Sequence, residues 1–146
     1  LYYGTELWMK NFKDPNDGMV RLDFPGGFPN DEKDKRMVSG RDQTENTAFN
    51  YVKTLANFRK NNTALQTGKM MQWLPNDGLY VYFRYDQGST VMIILNTSNK
   101  TKSVLLSNYG ERTNGFKGFK DVVTGVLGVN KIDLAPMESR VVLLTK

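Results

Sequence analysis

Carboxylates are the main groups in this sequence that could carry out acid–base or metal chemistry. There are 15 Asp and Glu residues, but no His and no Cys. Without His the chain cannot form a Ser-His-Asp triad, a His-ligated zinc site or an imidazole acid–base catalyst. Without Cys it has no disulfide, thiolate metal site or cysteine nucleophile. The sequence predicts no cofactor and no metal.

Acidic and amide side chains lie close together in the segment Asp14-Pro15-Asn16-Asp17-Gly18. Such oxygens suit Ca²⁺, but the glycine of an EF-hand loop falls one place later in the ligand pattern. Pro, Asn and Gly also favour a turn in which an Asx side chain bonds to the backbone. We therefore interpret the segment as an Asx turn.

The charge pattern and the hydropathy exclude two classes of partner. The net charge is +5, but the basic residues are scattered and no nucleic-acid-binding motif accompanies them. The longest apolar run, Val91–Leu95, is far shorter than the ~20 residues that a membrane helix needs. The sequence predicts neither a nucleic-acid partner nor a membrane partner.

The predicted secondary structure changes near residue 64. Before it, the sequence predicts a short aromatic strand at Leu1–Leu7, a long turn-rich loop, and a helix over residues 44–60. Thr44 is the predicted N-cap of that helix, and the helix should end at Asn61-Asn62.

After residue 68 the apolar period becomes two, and Pro75-Asn76-Asp77-Gly78 is a strong hairpin signal. A helical turn is predicted near Ser107–Glu111. The evenly spaced strands predict a mainly β fold, a Greek-key antiparallel β-sandwich. They are Lys69–Leu74, Leu79–Tyr85, Thr90–Asn96, Lys102–Leu106, Phe119–Val123, Gly125–Gly128, Lys131–Leu134 and Ser139–Thr145.

Five motifs in order resemble the end of an α-amylase-superfamily glycoside hydrolase of the cyclomaltodextrinase or neopullulanase type. The most discriminating is Arg21-Leu22-Asp23-Phe24-Pro25-Gly26-Gly27. The others are Tyr2-Tyr3-Gly4-Thr5-Glu6, Phe49–Arg59, Ala64–Gly68 and Lys131–Ser139. The resemblance implies that residues 1–63 are a remnant of a (β/α)8 TIM barrel: its last strand, an active-site loop and its final α-helix. Residues 64–146 would be the C-terminal β-sandwich domain.

The resemblance also implies what the parent does. It would degrade starch-type substrates (α-1,4-glucans, cyclodextrins or pullulan) with two carboxylates about 5–5.5 Å apart. In this family those carboxylates lie on earlier barrel strands, and Glu6 is read as a barrel-rim residue. The chain is therefore expected to be structural and non-catalytic, with its own catalytic barrel and an α-glucan oligosaccharide as partners. A periplasmic or secreted bacterial parent fits this expectation.

Related amylases hold sugar hydroxyls with an acid–arginine pair in the loop after the last barrel strand. By resemblance Asp17 and Arg21 are the candidates here, with Asp14 as the other acid that the spacing allows. A guanidinium donates and a carboxylate accepts, which suits a sugar diol. An internal salt bridge that shapes the loop is the alternative.

Aromatic residues near the predicted hairpin indicate a second candidate function. Trp73 and Tyr82 flank the Pro75–Gly78 turn, and we expect them to share a face where glucose rings could stack. Ordinary cross-strand packing is the alternative. The stacking interpretation would make the chain a starch- or oligosaccharide-binding β-sandwich module.

The resemblance makes one prediction about assembly. As a barrel strand without its neighbours, Leu1–Leu7 would expose an apolar edge. We expect either local disorder or a dimer that forms through this segment.

Overall fold

The computed structural model describes all residues from Leu1 to Lys146. The chain divides into two compact units, Leu1–Thr54 and Leu55–Lys146. None of its helices has the length and apolar character that a bilayer crossing requires. The predicted domain boundary between residues 63 and 64 stays a prediction.

The first unit consists of loops, three short 3-10 helices and the first part of helix α1 (Gln43–Lys60). Its most connected side chain is the buried Arg41. The Arg41 guanidinium donates to Asn46 Oδ1 (2.8 Å) and to the carbonyls of Lys35 and Arg36, and it lies over the Phe49 ring. These contacts of Arg41 connect the segment before helix α1 to the first turns of that helix.

Helix α1 begins at Gln43, and its N-cap, Asp42, lies two residues before the predicted cap. Asp42 Oδ1 accepts a hydrogen bond from Glu45 N (2.8 Å), and Glu45 Oε2 accepts one from Asp42 N (3.0 Å). This reciprocal capping box satisfies backbone donors at the helix start. The prediction of Thr44 as N-cap is therefore wrong, whereas the predicted end near Asn61 is confirmed.

The predicted strand at Leu1–Leu7 is also wrong. The segment forms a turn and a 3-10 helix over Thr5–Leu7. Its backbone donors pair locally: Thr5 N with Tyr2 O (3.2 Å) and Leu7 N with Gly4 O (3.0 Å). No strand of this chain pairs with the segment, so a strand conformation would leave these groups without partners.

The second unit contains helices α2 (Thr63–Gln66) and α3 (Gly110–Thr113) and two antiparallel sheets. The six-stranded sheet has the order β1-β2-β3-β8-β5-β6, and β4 pairs with β7 in the other sheet. The strands are β1 Lys69–Gln72, β2 Leu79–Tyr85, β3 Thr90–Asn96, β4 Lys102–Leu105, β5 Gly118–Asp121, β6 Leu127–Gly128, β7 Lys131–Leu134 and β8 Ser139–Thr145.

The connections between the sheets confirm the predicted Greek-key sandwich. The chain crosses from β3 to β4, returns to β5 beside β8, and crosses again from β6 to β7 before β8 completes the large sheet. The core between the sheets is apolar: Val81, Phe83, Met92, Ile94, Val104, Leu106, Phe119, Ile132, Leu134, Val142 and Leu144. Strand β3 is covered on both faces, because Val91 and Ile93 are buried on the face opposite this core.

Buried Asn96 organises one end of the sandwich. Its amide nitrogen donates to the carbonyls of Lys100 and Ala135, each at 2.8 Å, and its Oδ1 accepts from Ser98 N and Oγ. A buried amide is stable only when its donors and acceptors are paired. Here the pairing ties the β3–β4 loop to the β7–β8 loop.

Candidate functional site

The loop with the predicted substrate-binding residues is ordered by local hydrogen bonds. Asp17 begins a 3-10 helix, Asp17–Val20, and Arg21 follows it. Asn16 Oδ1 caps this helix by accepting from Gly18 N at 2.9 Å, which is the Asx turn that the sequence predicts. No group of three or more acidic side chains in this chain could hold a metal ion.

Asp14, Asp17 and Arg21 all lie on the surface and take part in no ion pair. The alternative that Asp17 and Arg21 form an internal salt bridge is therefore not what the structure contains. Their side chains remain available for hydrogen bonds to a ligand. Their role in holding sugar hydroxyls stays a prediction.

A cleft of about 580 Å³ lies in the same unit, and the sequence interpretation missed it. Its lining combines the apolar side chains of Leu7, Trp8 and Leu22 with the charged side chains of Lys10, Lys35, Asp42 and Glu45. A concave site lined by apolar side chains and a few polar groups is typical of small-molecule sites.

The charged residues that line the cleft are held in place by the start of helix α1. Lys35 Nζ forms an ion pair with Glu45 Oε1, while Glu45 Oε2 is held by the capping box with Asp42. The hydrogen bond from Lys35 lowers the pKa of Glu45 below its usual value, against the opposing effect of burial. Glu45 is therefore an anion at neutral pH.

Trp73 and Tyr82 do not share a face of the sheet. Trp73 N donates to Val81 O, and the Trp73 ring packs edge-on against Phe83 and Tyr109 with centroids 5.3 and 5.1 Å away. Tyr82 lies on the other face, where its ring stacks on Tyr80 at 5.4 Å. The predicted common platform is thus not assembled, and sugar stacking on either residue stays a prediction.

A one-residue shift in the hairpin explains this difference. Asn76 pairs with Leu79 around the turn, a register that would place Trp73 opposite Tyr82. Instead Gln72 pairs with Tyr82, because Leu74 and Pro75 together lie opposite Tyr80. Pro75 has no N–H to donate and the Leu74 side chain is 93% exposed, as expected of a β-bulge. A shift of one residue moves a side chain to the opposite face.

Every carboxyl group with a shifted pKa in this chain has its pKa lowered: Asp34, Glu45, Asp77, Asp86, Asp121 and Asp133. Burial by itself would raise the pKa of Asp121, but hydrogen bonds from Thr124 N (2.7 Å) and Arg140 (3.1 Å) outweigh it. A general acid needs the opposite shift, toward neutral pH.

Comparison with known proteins agrees with this architecture. Residues 70–143 match the family model described as the cyclo-malto-dextrinase C-terminal domain. A cyclomaltodextrin glucanotransferase of Thermoanaerobacterium thermosulfurigenes is 29% identical over 92% of this chain and 16% of its own length. An α-amylase of Niallia circulans is 31% identical over 90% of this chain and 21% of its own length.

Among solved structures, an Anoxybacillus α-amylase superposes with a TM-score of 0.61 at 22% identity, over 85% of this chain and 26% of that one. That degree of identity supports the fold alone. The chain thus spans about a fifth or less of the length of the two curated relatives.

Proposed function

Because the chain belongs to the cyclo-malto-dextrinase C-terminal domain family, we propose that it is the structural, non-catalytic part of an α-amylase-type glycoside hydrolase. The enzyme would act on α-1,4-glucans, cyclodextrins or pullulan. Its sandwich would brace the catalytic barrel by packing against the residue 44–60 helix. The names of its relatives are those of starch-converting enzymes, cyclomaltodextrin glucanotransferase and α-amylase.

The proposal that the chain is non-catalytic is supported by the ionisation and the hydrogen bonding of its carboxyl groups. A retaining glycosidase needs one ionised carboxylate and one protonated acid about 5–5.5 Å apart. The buried carboxylate here, Asp121, is bound to Arg140 and backbone amides, and its pKa is lowered. Glu45 is likewise held by Lys35. Neither can serve as a proton donor near neutral pH.

Incubation of the chain with β-cyclodextrin and with pullulan tests this proposal. Chromatography of the products should show no glucose or maltose above a protein-free blank. Sugar release would contradict the non-catalytic assignment. The variant Glu6→Gln is the matched control, since release that disappears in this variant would identify Glu6 as a catalyst instead of a barrel-rim residue.

The stacked pair of Tyr80 and Tyr82 favours a second candidate function, that of a starch-binding module. Both rings are half-buried on the face of the sheet opposite the core, and Tyr80 Oη donates to Gln72 Oε1 at 2.5 Å. Affinity electrophoresis in a starch gel tests it. Retardation that Tyr82→Ala removes would support this function, and unretarded migration would eliminate it.

A further inference from the structure

Trp8 has an unusual conformation for a bulky residue. Its backbone is in the left-handed region, with φ 54° and ψ 39°. Trp8 N donates to Thr5 O (3.1 Å), and the neighbouring Met9 N donates to Gly4 O (3.0 Å). A non-glycine residue in this region is uncommon, and such strain concentrates at functional sites.

The fixed turn presents the indole instead of burying it. Trp8 is 61% exposed, and it lines the cleft together with Leu7 and Leu22. An indole face carries partial negative charge and attracts the polarised C–H bonds of a sugar ring. The other tryptophan, Trp73, is packed between Phe83 and Tyr109 and offers no comparable face.

Two charged side chains in the lining of the same cleft retain unused hydrogen-bonding capacity. Lys10 is exposed and forms no ion pair, so its three donors are free for a ligand. Asp42 uses Oδ1 in the capping box, and its Oδ2 accepts no hydrogen bond from this chain. A free ammonium and a free carboxylate oxygen supply a donor and an acceptor for adjacent sugar hydroxyls.

We propose that this cleft binds a glucose unit of an α-1,4-glucan, with the pyranose face on Trp8 and its hydroxyl groups on Lys10 and Asp42. The proposal rests on the proposed function, because that function supplies the class of ligand. It adds a subsite that is separate from the exposed residues Asp14, Asp17 and Arg21, none of which lines the cleft.

Titration of the whole chain with maltohexaose tests the site. Binding should be saturable, and it should change the fluorescence of the exposed Trp8 in both the wild type and Trp73→Phe. Calorimetry should show that Trp8→Ala raises Kd by at least about tenfold. Lys10→Ala, on an exposed side chain, should raise it by roughly threefold. Leu74→Ala, an exposed site in the other unit, should leave Kd unchanged.

The proposal is overturned if maltohexaose shows no saturable binding up to about 10 mM. It is also overturned if Trp8→Ala, with an unchanged circular dichroism spectrum, binds as tightly as the wild type. Sugar release during incubation would contradict only the non-catalytic function and would leave the Trp8 result intact. The two hypotheses can therefore fail separately.

Discussion

The two units of the chain differ in how many of their apolar side chains are buried. In the first unit, Leu7 and Ala48 are the only buried apolar side chains, while Leu1, Phe12 and Phe28 are largely exposed. All other buried apolar side chains belong to the second unit. The apolar core therefore lies in the second unit, whereas the first unit leaves most of its large apolar side chains exposed.

Amide hydrogen exchange should give the largest contrast between the units. The amides of β3 pair with β2 and β8 in the centre of the sheet, whereas most amides between Lys10 and Asp34 lack backbone partners. We expect protection factors in β3 to exceed those of the loop by about 10⁴-fold. Equal protection in both regions would mean that the first unit has a stable core of its own.

Truncation of a core aromatic ring should give the next largest effect. Phe83 is fully buried and contacts Trp73 and Tyr109. Phe83→Ala should lower the free energy of unfolding by about 3–5 kcal/mol in guanidinium denaturation. The matched variant Phe12→Ala removes a ring that is 84% exposed, and it should change that free energy by no more than about 0.5 kcal/mol. Similar losses in both variants would remove the distinction between the units.

Asp121 makes the stability of the sandwich depend on pH. Its pKa is lower in the folded state than in the unfolded chain, so its stabilising effect is present above the unfolded pKa of about 3.9. The effect is lost as pH falls through the folded pKa. Asp121→Asn should cost about 2 kcal/mol at pH 7, and the difference from the wild type should shrink below about pH 4.

The control for this experiment is Asp133→Asn. Asp133 also has a lowered pKa, through hydrogen bonds from Ser103 and Lys131, but its side chain is half exposed. Exposed pairs contribute little, so this variant should have a free energy of unfolding at pH 7 close to that of the wild type. A constant difference between Asp121→Asn and the wild type from pH 3 to 7 would contradict the assignment to Asp121.

The smallest expected effect concerns the cap of helix α1. Asp42→Ala removes the acceptor for Glu45 N and should destabilise the first turn of the helix by about 1 kcal/mol. Faster hydrogen exchange at Glu45 and Asn46 would report this loss. Asp23→Ala, which removes an exposed carboxylate outside the helix, should leave these rates unchanged.

Local patterns predict the sandwich strands well. The bounds of β2, β3, β7 and β8 agree with the predicted ones, because alternating or continuous apolar runs between turn residues depend on nearby sequence alone. The prediction of a strand at Leu1–Leu7 was wrong because a strand needs neighbouring strands to pair with. The composition of the segment does not reveal whether such neighbours are present. Asp42 is the better N-cap residue than Thr44, and Asp42-x-x-Glu45 fits a capping box, so this cap was predictable from the sequence although it was not predicted.

The candidate site was harder to predict for a related reason. Whether Trp73 faces the core or the solvent depends on a bulge at Leu74-Pro75, and the turn residues do not encode that extra residue. The loop candidates Asp17 and Arg21 came from resemblance, and the structure places them on the surface without a partner. The Trp8 cleft depends on contacts between segments that are far apart in sequence, so no local pattern reveals it.

The position of β3 has a consequence for how the chain is made. Its apolar run pairs on one side with β2, which precedes it, and on the other side with β8, where Val91 meets Leu143. During synthesis β3 therefore emerges long before its second neighbour exists, and an uncharged aliphatic segment with a free edge is prone to aggregate. The large sheet is completed only when β8 has been made, so deletion of these seven residues would remove the pairing partner of both β3 and β5.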